Sequence, residues 1–181
     1  MRIVIIGNSG SGKTWLANNL SSIYLAPIVH FDEIFWKPGG FDQKREPSEV
    51  LSLIDESKKT PSWVAEGVFG KIAEHYIENT DTFIWLDMPL GTCVERLKIR
   101  GSESKKHMNR VQSEQGLKEL IEWASHYHDR KNLNSYSGHR KLFSNFSKKK
   151  FRLCNENDVS EFLKTQHATV ADSQGGARVV G

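Results

Sequence analysis

Residues 7–14 read Gly7-Asn8-Ser9-Gly10-Ser11-Gly12-Lys13-Thr14, directly after the apolar run Ile3-Val4-Ile5-Ile6. A strand that ends in G-x-x-x-x-G-K-T and opens a helical pattern is the sequence form of a loop that wraps phosphate groups. Glycines let the backbone approach closely and take positive φ, so that several N–H groups converge on one anion. The helix that follows offers unpaired N–H groups and the positive end of its dipole. Gly7, Ser9, Gly10, Ser11, Gly12, Lys13 and Thr14 are therefore the candidate residues for a nucleoside triphosphate. Lys13 is expected to reach the β- and γ-phosphates, and Thr14 to place its hydroxyl on Mg²⁺.

Outward from the loop, strand and helix signals alternate. Leu16, Leu20 and Ile23 recur at i, i+4, i+7 and carry a helix to about Tyr24, before Pro27. Ile28-Val29-His30-Phe31 reads as a second strand ending at Asp32-Glu33, followed by the aromatic loop Phe35–Phe41. Pro47 suits the first turn of a helix carried by Val50, Leu51 and Ile54. Trp63-Val64-Ala65 is a third strand stopping at Glu66-Gly67, a short helix runs from Ile72 to Ile77, and Thr82–Asp87 is a fourth strand. Leu90, Val94 and Leu97 mark a helix that Gly101 stops. Polar residues 102–112 follow, then a helix through Leu117, Leu120, Ile121, Ala124 and His128. Phe151–Cys154 is the fifth strand and Val159–Leu163 a last short helix, with residues 166–181 read as an unstructured tail.

Repeated β-α units of this length predict an α/β domain over residues 1–165, with a five-stranded parallel sheet and helices on both faces. Ligands in such folds gather at the carboxyl ends of the strands. Gly7–Thr14, Asp32, Glu66-Gly67 and Asp87 are thus expected to share one site.

The 181 residues suffice for a single domain with a real core, and 38% hydrophobic with 26% charged residues is ordinary for a soluble globular protein. A net charge of +3 is too small to argue for nucleic acid. No apolar run approaches the roughly 20 residues of a membrane span, and the N-terminus enters a strand without a signal-peptide layout. Cys93 and Cys154 form no C-x-x-C pair and suit reduced residues of a cytoplasmic protein.

The loop, the segment His30-Phe31-Asp32-Glu33-Ile34-Phe35-Trp36-Lys37-Pro38-Gly39, the turn Glu66-Gly67-Val68-Phe69 and Trp85-Leu86-Asp87-Met88-Pro89 occur in this order. Together they resemble the adenylate-kinase-related P-loop proteins labelled topology modulation proteins, which belong with nucleoside monophosphate and shikimate kinases. The resemblance covers residues 1–165. It implies a three-layer P-loop NTPase fold that binds Mg²⁺ with ATP, holds a small phosphoryl acceptor after strand two, and closes a lid, about residues 101–115, that excludes water. Members usually carry aspartate before the glycine of the third turn; Glu66 keeps the carboxylate on a longer arm.

Beyond the loop, each candidate has a functional and an ordinary reading. Arg96 and Arg100 lie four apart on one helix face beside the lid and can neutralise a migrating phosphoryl group, or form a solvated face with Glu95 and Lys98. Lys105, Lys106 and Arg110 lie in the lid stretch and suit solvated charges as well as phosphate contacts. Arg130 either folds back onto the phosphates, as the resemblance implies, or is a favourable cation at a helix C-terminus. Asp32 can bind or activate an acceptor hydroxyl or cap its turn, and Trp36, with Phe35, can stack on an acceptor or fill the hinge. Gly67 sits at the acceptor turn. Glu66 is the candidate carboxylate for Mg²⁺, with Asp87 the competitor. A lid without cysteine excludes a zinc-stapled one.

The function expected is phosphoryl transfer from Mg-ATP to a small acceptor, a nucleotide or nucleoside foremost, by a monomer or homodimer. The alternative is an ATP-binding regulator linked to DNA topology with little or no turnover. No Asn-Lys-x-Asp supports a GTPase, and nucleic-acid binding rests only on the lysines and phenylalanines between His139 and Arg152, a stretch that reads first as a helix and a lead-in to a strand with solvated lysines.

Overall fold

The computed structural model describes residues 1–38, 43–101 and 110–175. Among them, β1 (Arg2–Gly7), β2 (Ile28–His30), β3 (Trp63–Gly67), β4 (Thr82–Leu86) and β5 (Lys149–Leu153) form one parallel sheet in the order β2-β3-β1-β4-β5. Parallel neighbours need crossovers. These are made by α1 (Lys13–Tyr24), α2 (Phe31–Phe35), α3 (Pro47–Ser57), α4 (Gly70–Glu74), α5 (Leu90–Arg100), α6 (Arg110–Ser125) and α7 (Tyr136–Asn145), and α8 (Glu156–Gly175) closes the order.

The central strand explains the three layers. Side chains alternate across a strand, and Ile3 and Ile5 pack with Leu16 and Leu20 of α1 and Phe162 of α8. Val4 and Ile6 face the other way, toward Phe31, Ile54, Tyr76 and Leu142. Both faces are covered, which is why the strand reads as an unbroken apolar run. The register pairs Ile6 with Gly67, Gly7 with Leu86, and His30 with Glu66. It brings the carboxyl ends of β1, β2 and β3 level, at the edge where the loop leaves.

The structure departs from the sequence reading at Phe31 and at the tail. Phe31 does not extend the second strand but opens α2, fully buried, with its ring 5.4 Å from that of Tyr76. The helix read as leading into the fifth strand is α7, which starts after Ser135, whose Oγ accepts from the Gly138 N–H. The tail expected over residues 166–181 is helical as far as Gly175. Gln166 is 5% exposed and accepts the Tyr24 hydroxyl at 2.9 Å; residues 176–181 lie outside the described ones. Among the described residues no helix is long and apolar enough to cross a membrane.

Candidate active site

The loop holds its shape through contacts only glycine permits. A Cβ on Gly7 would meet the Leu86 carbonyl at 2.6 Å, and one on Gly10, at φ +78°, the Cys93 carbonyl at 2.3 Å. The Asn8 carbonyl gathers the loop by accepting the Ser11 N–H at 3.2 Å and Lys13 Nζ at 2.8 Å. Asn8 Oδ1 accepts the Ser9 N–H at 2.9 Å. Ser11 Oγ is buried without a hydrogen-bond partner.

Two donors converge on one oxygen at the end of β3. Thr14 Oγ1 donates to Glu66 Oε1 at 2.9 Å, and His30 Nδ1 lies 2.8 Å from that oxygen. Burial works against the Glu66 charge, yet the hydrogen bonds from His30 and Thr14 and the Lys13 charge hold its carboxyl below the ordinary value. The same hydrogen bond raises His30 despite its partial burial. Asp32 keeps solvent access, but desolvation by the cleft walls raises its pKa against the pull of Lys13. Lys13 is pulled down by desolvation, opposed by Glu66 and Asp32, while Arg100 adds to the lowering. Lys13 therefore lies within electrostatic reach of Glu66, Asp32 and Arg100.

Asp87 does not join them: it accepts from Arg152 Nε at 2.8 Å. Thr14 and Glu66 suit Mg²⁺, a hard cation that takes a hydroxyl, one or two carboxylates and phosphate oxygens rather than a full protein cage. Consistently, no group of three or more His, Cys, Asp or Glu able to hold a metal occurs among the described residues.

The arginines separate. Arg96 Nη1 donates to the Ser11 carbonyl at 2.9 Å and Nη2 to Glu156 at 2.8 Å, so it is a wall of the loop. Arg100 is exposed one turn on and lines a cleft of about 460 Å³ with Lys13 and Thr14. Arg130 lies over the Trp123 ring at 3.8 Å, donating to the carbonyls of Trp123 and Asn134. Lys105 and Lys106 lie outside the described residues, and Arg110 opens α6. Much of the basic cluster after His139 is engaged internally. Lys148 donates to the Glu78 and Thr80 carbonyls, and Lys150 to those of Phe143, Ser144 and Phe146.

On the acceptor side, Phe35 stacks on Phe69 at 4.3 Å and meets Trp36 edge-on at 4.7 Å. Gly67 has a packing role: a Cβ there would sit 2.5 Å from Phe31 Cβ. A second cavity, about 450 Å³, opens beside the loop between Ser11, Gly12, Trp15, Arg96, Glu156 and Val159. Trp15, 58% exposed, was not singled out in the sequence because one aromatic on a helix carries no positional signal. His30 was passed over as a strand residue, and only the sheet register places it beside Glu66.

A buried polar chain backs the site. Trp85 Nε1 donates to the Tyr127 hydroxyl oxygen at 3.3 Å, and His139 lies between Tyr127 at 2.6 Å and the Val68 carbonyl at 2.9 Å. A carbonyl only accepts, so His139 carries its proton on Nε2 and accepts the Tyr127 hydroxyl at Nδ1. Burial keeps the imidazole neutral, its pKa lowered to about 3.

No family model matches the chain. A cytidylate kinase from Methanosphaerula palustris is 29% identical over 114 residues, which span 56% of this chain and 64% of that relative's length. A shikimate kinase from Acinetobacter baumannii, solved with shikimate, superposes with a TM-score of 0.54 at 14% identity, over 95% of this chain and 93% of its own. The shikimate kinase from Bacteroides thetaiotaomicron gives 0.53 at 13% identity, over 94% and 98%. A gluconokinase from Sinorhizobium meliloti gives 0.50 at 13%, over 94% and 91%. The likeness to solved structures is one of fold: the chain has the three-layer P-loop fold of these kinases.

Proposed function

We propose that the chain is an ATP-dependent phosphotransferase that passes the γ-phosphoryl group of Mg-ATP to a small acceptor, with a nucleotide or nucleoside the first candidate. The observation that carries this reading is the phosphate loop with Thr14 bonded to Glu66 at 2.9 Å, beside a cleft lined by Lys13, Thr14 and Arg100, with the exposed Asp32 close enough to act on Lys13. A binding loop alone needs no solvent-accessible carboxylate facing its lysine. The 29% identity to a cytidylate kinase supports the nucleotide class of acceptor.

In this reading the nucleoside base enters the cavity beside Trp15, Arg96 and Glu156, and the phosphates follow the loop toward Lys13. Thr14 and Glu66 hold Mg²⁺, which supplies charge neutralisation between the phosphates. Asp32 orients the attacking group of the acceptor, and Phe35, Trp36 and Phe69 wall its site. Arg100 balances charge on the migrating group in the cleft it lines with Lys13 and Thr14, while residues 102–109 of the stretch read as a lid lie outside the described ones.

The test is coupled ADP release with Mg-ATP and a panel of nucleoside monophosphates, nucleosides and small alcohols. At least one acceptor should raise ADP release above the ATP-only rate, and Lys13→Ala should cut that rate by at least about 100-fold, the scale of one aligned electrostatic group. A panel without effect leaves a nucleotide-binding regulator in its place.

A further inference from the structure

The phosphate loop is tied from outside to both α5 and α6, which flank the lid stretch. On the α5 side, Arg96 Nη1 donates to the Ser11 carbonyl at 2.9 Å, and the Cys93 carbonyl fills the space a Cβ on Gly10 would need. On the α6 side, Asn8 Nδ2 donates to the Ala124 carbonyl at 2.9 Å, across 116 positions of sequence. Asn8 is 3% exposed, and its amide is fully aimed: Nδ2 at α6, Oδ1 at the Ser9 N–H.

That link is not needed to satisfy the helix end. The Ala124 carbonyl already accepts the Tyr127 N–H at 3.2 Å. A buried amide spent on an acceptor that has another donor fixes geometry more than it stabilises the fold. What it joins is informative. The Asn8 carbonyl is where Lys13 Nζ rests, at 2.8 Å, and a triphosphate in the loop would draw that ammonium away. At the other end, Ala124 follows Trp123, whose carbonyl accepts from Arg130 and whose ring lies under the Arg130 guanidinium at 3.8 Å. One covalently and hydrogen-bonded path therefore runs from Lys13 through Asn8 to the last turn of α6 and Arg130.

We propose that Asn8 is a positioning residue that couples triphosphate occupancy of the loop to the placement of α6 and Arg130. The proposal rests on the donor-site reading above. Phosphate contact moves Lys13 off the Asn8 carbonyl, the loop peptide at Asn8 readjusts, and the rigid side-chain amide carries the shift to Ala124. Coupling of this kind is reciprocal: ordering α6 strengthens nucleotide binding by the same factor by which nucleotide orders α6.

The experiment is hydrogen exchange over residues 114–135, with and without saturating Mg-AMP-PNP, in the full chain and in Asn8→Ala and Asn8→Ser. Asn8→Ser keeps a neutral polar side chain but is too short to reach the Ala124 carbonyl. Nucleotide affinity is measured separately by titration with a fluorescent ADP analogue, and melting temperature reports folding. In the wild type, nucleotide should slow exchange in the last turns of α6 by at least about fivefold, the lower end of ordinary site-to-site coupling. Both variants should lose that response and bind nucleotide weaker by about the same factor. Where Asn8→Ala does not fold, Asn8→Ser decides. A folded variant that binds nucleotide and keeps the wild-type response overturns the proposal, as does a wild type that binds nucleotide with no response in α6. A wild type that binds no nucleotide instead removes the donor-site reading, and this inference with it.

Discussion

Thr14 and Glu66, 52 positions apart in sequence, meet side chain to side chain at 2.9 Å. The bond joins the start of α1 to the end of β3, and His30 holds the same carboxylate oxygen from β2. Glu66→Gln removes the charge and keeps the shape. It should raise the Mg²⁺ concentration for half-maximal turnover by about 10–100-fold, the range seen when the surroundings of a metal are disturbed. Mn²⁺ binding in the presence of ADP gives a readout independent of turnover. Unchanged metal dependence in both would take Glu66 out of the metal site.

Arg96 and Arg100 share a helix face but do different work. Arg96 is bonded to the loop and to Glu156 beside the cavity, whereas Arg100 acts on Lys13 and Asp32 across the cleft. Arg96→Ala should raise KM for ATP by about tenfold, the scale of one charge-assisted hydrogen bond, with a smaller change in kcat. Arg100→Ala should show the opposite balance. Steady-state kinetics on the two variants checks this, and identical effects would end the distinction.

Gly10 combines positive φ with a carbonyl in the way of any side chain. Gly10→Ala should therefore cost at least about 1–3 kcal/mol of stability from backbone strain alone, with further loss from the clash at Cys93. Chemical denaturation measures it; a variant as stable as the wild type would mean that α5 yields freely.

His139 sets a pH dependence of stability. Its folded-state pKa, about 3, lies below its ordinary 6.5. As pH falls from 6.5 toward 3 the unfolded chain binds a proton that the folded one refuses, so stability is lost in that direction, by at most about 1.4 kcal/mol per pH unit. His30 acts oppositely, because its raised pKa contributes stability at low pH that fades as pH rises. The comparison that isolates His139 is the slope of unfolding free energy between pH 5 and 7, roughly the span in which histidines titrate, in wild type and His139→Gln. The variant should be less stable at pH 7 and less sensitive to acid; equal slopes would show that His139 is not held neutral.

The shape of the loop at Gly7–Thr14 was legible in the sequence because its determinants are local. Gly7, Gly10 and Gly12 are needed for backbone geometry, and Lys13 and Thr14 sit at fixed offsets from them. The alternation of strands and helices followed from periodicity, and with it the parallel sheet. Phe31 was misread as strand because an apolar β-favouring triplet before it gives no sign of where extension stops. Only the space left by Gly67, with Tyr76 alongside, makes a helical start pay there. The helix leading into β5 was read from His139 on, but its start at Tyr136 was not, because the buried positions Gly138, His139 and Leu142 do not read as an apolar stripe. The continuation of α8 was missed because it depends on a single buried glutamine bonded to Tyr24.

Sequence by itself determined that a phosphate loop opens a parallel α/β domain, since helix, strand and loop chemistry act over a few residues. Tertiary structure decided which distant groups meet that loop. Glu66 rather than Asp87 shares a hydrogen bond with Thr14, because Arg152 on β5 engages Asp87 while strand register sets Glu66 beside His30. Asn8, an unremarked position within the motif, became the tie to α6 for the same reason. Pairing between residues tens of positions apart depends on strand order and helix packing, and no spacing along the chain encodes either directly.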